Sequence, residues 1–207
     1  AFPVVADRLR NREDVRLGDA GGAALGERRR SLQGRTGCGL CGAETLDAVL
    51  QPVRRVPAGN AVDPAALHRA LTRLRRRQPI NAATGATHAA AWARSDGEIL
   101  AVREDVGRHN ALDKLIGHLL GSGKNPLEGW LLLTSRASYE MVLKASVVGI
   151  PVVAAISAPT AYAVRMAEEA GITLIAFARA ERFVGYACPG RLLGNSLGPQ
   201  GARQGPG

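Results

Sequence analysis

The sequence predicts an α/β fold whose C-terminal half is a parallel βαβαβ unit, and two observations carry that expectation. Three short apolar runs, Trp130–Leu133, Val152–Ile156 and Ile172–Phe177, show no polar alternation, as strands buried on both faces should. Between them lie Tyr139–Val148 and Thr160–Ala170, which read as helices, followed by the stop glycines Gly149 and Gly171. At 207 residues and 46% hydrophobic content the chain has material for one good-sized α/β domain or two small ones.

Residues 1–35 read as a partial N-terminal segment, with a strand candidate at Asp14–Leu17 and a short helix at Glu27–Leu32. Residues 36–187 form the expected α/β domain, which opens on the loop Arg35-Thr36-Gly37-Cys38-Gly39-Leu40-Cys41-Gly42. Its glycines give the backbone freedom to expose both sulfurs. Ala43–Leu50 is a brief helix or strand before Pro52. Asp63 is placed to cap a helix with Pro64 in its first turn, and Leu67, Leu71 and Leu74 recur at helical spacing. Arg73 and Arg75–Arg77 close its last turn, and Pro79 ends it. Ala89–Ala93 and Glu98–Val102 flank Ser95-Asp96-Gly97, which signals a hairpin. Asn110–Leu120 carries one apolar stripe and stops at Gly121. From 188 to 207 the chain reads as a disordered tail, rich in Gly, Pro and Gln from Gly190 onward.

The charge balance narrows the function classes. There are 27 Lys+Arg against 18 Asp+Glu, a net +9, and 24 of the cations are arginine. Residues 1–80 hold 15 cations and 8 anions, so most of the excess precedes the α/β repeat. The apolar content excludes a disordered chain or a simple polybasic tail. An anionic partner is expected, but with 4% aromatics there is little material for stacking nucleobases. Three cysteines do not make a disulfide scaffold, so a reducing, cytoplasmic setting fits. The most apolar stretch, Val147–Ala158, is broken by Gly149 and Pro151, so no membrane span is expected.

In an open parallel sheet, ligands bind beyond the C-terminal ends of the strands. Here those ends carry Thr134-Ser135-Arg136, Ser157-Ala158-Pro159, and Arg179 with Arg182. Hydroxyls and guanidiniums beside two helix N-termini make a phosphate cradle. The competing reading is that the Ser and Thr residues only cap helices.

Cys38 and Cys41 admit four readings. Half of a zinc site would need His88, His109 or Cys188 to complete it. A dithiol redox pair should sit at a helix start. A zinc-dependent deaminase needs His-x-Glu and a Pro before the first Cys, and neither is present. A sulfur relay needs a thiolate, which Arg35 would favour. Spacing alone ranks zinc or redox chemistry first.

The wider text resembles one family. Its carriers are Thr36-Gly37-Cys38-Gly39-Leu40-Cys41-Gly42, Thr84-Gly85-Ala86-Thr87-His88-Ala89-Ala90 and the run from Arg103 to Lys114. Thr134-Ser135-Arg136-Ala137-Ser138-Tyr139-Glu140-Met141 and Gly149-Ile150-Pro151 leading to Ser157-Ala158-Pro159-Thr160 extend the match. These motifs are similar to those of the FdhD family of sulfur carriers required for formate dehydrogenase activity, over about residues 27–187.

The resemblance implies a three-layer α/β/α sandwich similar to cytidine deaminases, without their zinc, and a homodimer. It implies that persulfide sulfur from a cysteine desulfurase is carried on Cys38, with Cys41 its partner in the loop. The sulfur then passes to the molybdenum cofactor, a bis(molybdopterin guanine dinucleotide), before its insertion into formate dehydrogenase. It further implies that Phe177, Ala178, Arg179, Ala180, Glu181 and Arg182 contact that cofactor. The strand-end cradle of Thr134, Ser135, Arg136 and Ser157, read from the sheet geometry, suits the same polyanionic ligand. Family members normally carry a longer segment ahead of the matched region.

Arg103, Arg108 and His109 either line the pocket or a dimer interface, or belong to a strand-to-helix turn capped by Asn110, with Glu104 and Asp105 paired to arginines. His88 is a proton carrier near sulfur or a satisfied buried histidine. Cys188 reads as incidental. The rival functions are a thiol–disulfide oxidoreductase and a non-catalytic nucleotide- or nucleic-acid-binding module.

Overall fold

The computed structural model describes residues 53–179 and 182–193. Cys38, Cys41, Ala180, Glu181, the segment 1–35 and most of the expected tail lie outside the described residues.

The first described helix, α1 (Pro64–Arg75), begins where the Asp63 carboxylate accepts a hydrogen bond from Ala65 N at 3.0 Å. It ends at Arg75, short of Pro79. Pro79 instead opens a second helix, α2 (Pro79–Thr84), which stops at Gly85 in the left-handed conformation. Six residues with no buried side chain give no periodic signal to read. What holds α2 is distant in sequence: the Glu104 carboxylate accepts from Ile80 N and Asn81 N at 3.0 and 2.8 Å. It thereby satisfies two of the donors that a helix start leaves open.

The expected hairpin forms as β1 (His88–Arg94) and β2 (Ile99–Asp105), antiparallel. Gly97 turns it with a φ of +82°, and a Cβ there would lie 2.2 Å from the Ala66 carbonyl oxygen. Only glycine fits both demands. Helix α3 (Arg108–Gly121) starts two residues before the expected Asn110, with Gly107 at its cap position. Then follow β3 (Gly129–Leu133), α4 (Tyr139–Val148), β4 (Val152–Ala155), α5 (Ala161–Ala170) and β5 (Thr173–Ala176). Glycines 149 and 171 end α4 and α5 with left-handed φ, as their positions predict.

The sheet has six strands in the order β2-β1-β3-β4-β5-β6, where β6 is Val184–Ala187. Strands β3, β4 and β5 are parallel, so the βαβαβ unit is present. Strand β6 runs antiparallel to β5 and was not expected. It is short, contains Gly185 and exposes Val184, so no apolar run marks it. The chain continues through a 3-10 turn, Pro189–Arg191, to Leu192, which is buried and bridges Val62. Thus the described part of the expected tail, residues 188–193, is anchored to the domain through the buried Leu192.

Alternate strand residues feed two cores. Ala90, Trp92, Leu131, Leu133, Val153, Ala155 and Leu174 meet α3, α4 and α5. Ala89, Ala91, Trp130, Leu132, Val152, Ala154 and Ile175 join the cluster that holds Leu67, Ala70, Leu71 and Leu74 of α1. The result is three layers, with helices on both faces of a mixed sheet.

Gly97→Ala is expected to destabilise the protein by at least about 1–2 kcal/mol, the backbone penalty of a left-handed non-glycine residue. Gly123 has φ +64° with nothing within 4 Å, so Gly123→Ala carries the backbone penalty alone. A denaturant midpoint lowered further by Gly97→Ala than by Gly123→Ala confirms the steric account.

Candidate functional site

The C-terminal ends of β3, β4 and β5 are tied to one another through the backbone. Ala137 N donates to Ala158 O at 3.2 Å, and Thr160 N donates to Ala137 O at 3.0 Å. Phe177 N donates to Ser157 O at 3.3 Å and Ala178 N to Ala155 O at 3.1 Å. Arg179 Nη1 donates to Ile156 O at 2.7 Å. The three strand ends therefore form one continuous edge.

Within that edge the individual side chains divide. The Thr134 hydroxyl accepts from Ala89 N at 2.8 Å and so extends the β1–β3 ladder. Ser135 is buried, and its hydroxyl donates to Arg136 O at 3.1 Å. Two hydroxyls expected in the cradle are thus engaged with backbone. Thr160 caps α5, accepting from Ala163 N at 3.2 Å, as the capping reading requires. Ser138, at the same position before α4, makes no capping bond, and its buried hydroxyl has no hydrogen-bond partner among the described residues. Arg136 is exposed, and Ser157 is half-buried.

The β5 end holds a concavity. Phe177, Arg179, Arg182, Phe183 and Val184 line a cavity of about 240 Å³. Phe177 is a non-glycine residue with φ +50°, and it remains 41% exposed. Such strained backbone positions gather at binding sites. Ala178 is buried in the cluster that holds Leu67 and Ile175.

The antiparallel hairpin adds residues to this same edge, because the start of β1 lies beside the end of β3. His88 is half-buried at that start and opposite Asp105 in the β1–β2 register. Burial, with the positive charge of Arg108 second, lowers its pKa below the ordinary histidine value. His88 is therefore a neutral imidazole at neutral pH, able to accept a proton.

The run from Arg103 to Lys114 is the end of β2, a two-residue connection and the start of α3, bonded largely to itself. Asp105 accepts from Gly107 N at 2.8 Å and from Asn110 Nδ2 at 3.2 Å, and it pairs with Lys114 at 2.5 Å. The partner of the acid is thus a lysine, and Asn110 binds Asp105 instead of capping the helix. Arg103 Nη1 donates to the adjacent Val102 O at 2.8 Å.

His109 points elsewhere: its Nε2 donates to the Glu140 carboxylate in a short hydrogen bond that joins the starts of α3 and α4. Glu140 is the residue that sequence reasoning left without a role. Only its matching position in the Thr134–Met141 motif could have flagged it. Cys188 lies apart from the edge, its thiol 3.9 Å from Ala167 O. Among the described residues no helix is long and apolar enough to cross a membrane.

The model of the FdhD/NarQ family matches residues 6–193, a wider span than the motifs alone suggested. The chain belongs to this family. It is 55% identical over 168 residues to the sulfur carrier protein FdhD of Cupriavidus necator, covering 81% of this chain and 58% of that protein. It is 54% identical over 177 residues to the sulfur carrier protein FdhD of Xanthomonas campestris pv. campestris, covering 85% and 63%. The chain therefore spans about three fifths of the length of these curated relatives. Among solved structures it is similar to a candidate formate dehydrogenase accessory protein from Desulfotalea psychrophila. That likeness has a TM-score of 0.62 and 29% identity, and it covers 66% of this chain and 61% of the other.

Below its usual value near 6.5, His88 is protonated in the unfolded chain before it is protonated in the folded one. Its contribution is therefore full above about 6.5 and is lost as pH falls towards the lowered folded value. His88→Gln is expected to show a smaller fall in Tm between about pH 7.5 and about pH 5 than the parent protein. An equal fall would remove His88 from the acid response.

Proposed function

We propose that this protein is a sulfur carrier for formate dehydrogenase maturation, with Cys38 as the carrying thiolate and Cys41 as its partner. The observation that carries the reading is the 54–55% identity to curated sulfur carriers across more than four fifths of this chain. In the loading step the Cys38 thiolate attacks the outer sulfur of a cysteine desulfurase persulfide. The donor's S–S bond breaks, a new S–S bond forms on Cys38, and the donor leaves as a thiol, with no net oxidation. In the delivery step the Cys41 thiolate attacks Cys38 Sγ, the persulfide S–S bond breaks and a Cys38–Cys41 disulfide forms. The outer sulfur leaves at the sulfide level to the molybdenum of a bis(molybdopterin guanine dinucleotide), the substrate of this step. A thiol reductant then restores the cysteine pair. Molybdenum favours soft sulfur donors, so a persulfide is a suitable source.

The strand edge is the proposed seat of that cofactor. Phe177 presents an exposed ring beside Arg179 and Arg182, a combination suited to a planar base and its phosphates. Ala180 and Glu181 complete the same segment. Arg136 and Ser157 extend it along the edge, while Thr134 and Ser135 shape the loop from beneath through their backbone bonds. His88 stands at the same edge as a proton acceptor.

Intact-mass measurement after incubation with a cysteine desulfurase and cysteine tests the carrier step. The parent protein is expected to gain the mass of a sulfur atom, and Cys38→Ala to gain none. Equal gain by the Cys38→Ala/Cys41→Ala double variant would overturn the proposal. A loss of two protons with reduction of model disulfides would instead identify a thiol–disulfide oxidoreductase. Arg179→Ala is expected to weaken binding of guanosine diphosphate about 10- to 100-fold, the loss of one charge-assisted hydrogen bond. Unchanged affinity in a calorimetric titration would remove Arg179 from the cofactor seat.

A further inference from the structure

Helix α1 carries a charge pattern that sulfur transfer does not use. Arg69, Arg73, Arg76 and Arg77 stand at positions i, i+4, i+7 and i+8 of the helix and its end, and so share one face. Like charges four residues apart repel and destabilise a helix. None of the four makes an ion pair within 4 Å among the described residues.

Three of the four donate to backbone carbonyls of the β1–β2 turn and of the first residue of β2. Arg69 donates Nε and Nη2 to Asp96 O at 3.1 and 3.0 Å, and Arg73 Nη1 donates to Gly97 O at 3.3 Å. Arg77 Nη1 donates to Ile99 O in a short bond. These bonds hold three guanidiniums in a row while leaving their charge uncompensated.

The row borders two grooves of about 670 and 420 Å³, which share Arg69, Arg73 and Arg76. Asp96 and Glu98 also line the larger groove, but both are already paired to Arg94, at 2.9 and 3.2 Å. Arg94 offsets one of these two negative charges, so among the described residues four lining arginines face one uncompensated carboxylate and the groove keeps an excess of positive charge.

We propose that this row is a docking surface for an acidic polypeptide segment of a partner protein. A helical rise of about 1.5 Å per residue puts Arg69 and Arg73 about 6 Å apart along the axis, and Arg69 and Arg77 about 12 Å apart. Carboxylates one helical turn apart, or on alternate residues of a strand, repeat at nearly that interval. Guanidiniums held in place beforehand lose little side-chain freedom on binding, which favours a specific contact over diffuse attraction. Nucleic acid fits less well, because neither groove is lined by Phe, Tyr or Trp to stack a base. The surface starts at the β1–β2 turn, at the opposite end of the sheet from the strand C-termini. A partner seated there does not cover the strand edge.

Fluorescence anisotropy of a labelled helical peptide with glutamate at i, i+4 and i+8, titrated with the full chain, tests the assignment. The parent protein is expected to bind, more weakly as salt rises, and the Arg73→Glu/Arg76→Glu variant to lose at least about tenfold in affinity. Arg165→Glu, on the exposed side of α5, is expected to change affinity by less than about twofold. The side chain of Arg76 has no hydrogen bond or ion pair among the described residues, so Arg76→Gln carries the test should the double variant not fold. Its expected loss is about threefold. Unchanged affinity in these variants, an equal loss in Arg165→Glu, or tighter binding of a single-stranded oligonucleotide than of the peptide would each overturn the proposal.

Discussion

Strand β3 is the element on which the candidate site depends, because it joins two incompatible pairing geometries. Leu131 is opposite Trp92 in the antiparallel register and opposite Val153 in the parallel one. All five of its residues are buried, so its register is set by packing on both faces. At its start, a Cβ on Gly129 would lie 2.5 Å from Ala93 O and 2.6 Å from the Trp92 ring. The absence of a side chain there lets β1 approach. At its end, the Thr134 hydroxyl holds Ala89 N, which brings His88 to the edge defined by the parallel strands. Without the antiparallel partner, the His88 and Arg108 segment would have no fixed relation to Ser157 or Arg179.

The edge separates support from contact. Thr134, Thr160 and Asp105 accept from backbone donors or pair with nearby charge, and Ser135 donates to a backbone carbonyl, work that polar groups removed from water must do to avoid a desolvation penalty. Phe177, Arg136, Arg179 and Arg182 remain at the surface. Exposed arginines anchored on backbone carbonyls recur in this fold. Arg179 is anchored on Ile156 O, and Arg69 and Arg73 on the hairpin turn. Positive charge on this protein is thus positioned by carbonyl dipoles as well as by carboxylates.

Much of the α/β repeat was legible because its signals are local. Tyr139–Val148 has the expected bounds, since Gly149 stops it through φ preference alone. The apolar strands β3, β4 and β5 were visible as runs that only burial on both faces explains. Helix α2 and strand β6 were not legible. The first exists because Glu104, more than 20 residues away, supplies its missing acceptors, and the second because β5 offers an open edge.

The sequence by itself determined the family motifs, the basic balance and the order of strands and helices from β3 to β5. Each of these is written in residue type and short-range spacing. Tertiary structure alone decided which hydroxyls of the strand ends face backbone, that Glu140 is the partner of His109, and that the arginines of α1 line a groove. Those outcomes depend on side chains brought together across the sheet. A hydrogen bond has no signature in a sequence until both of its ends have been placed.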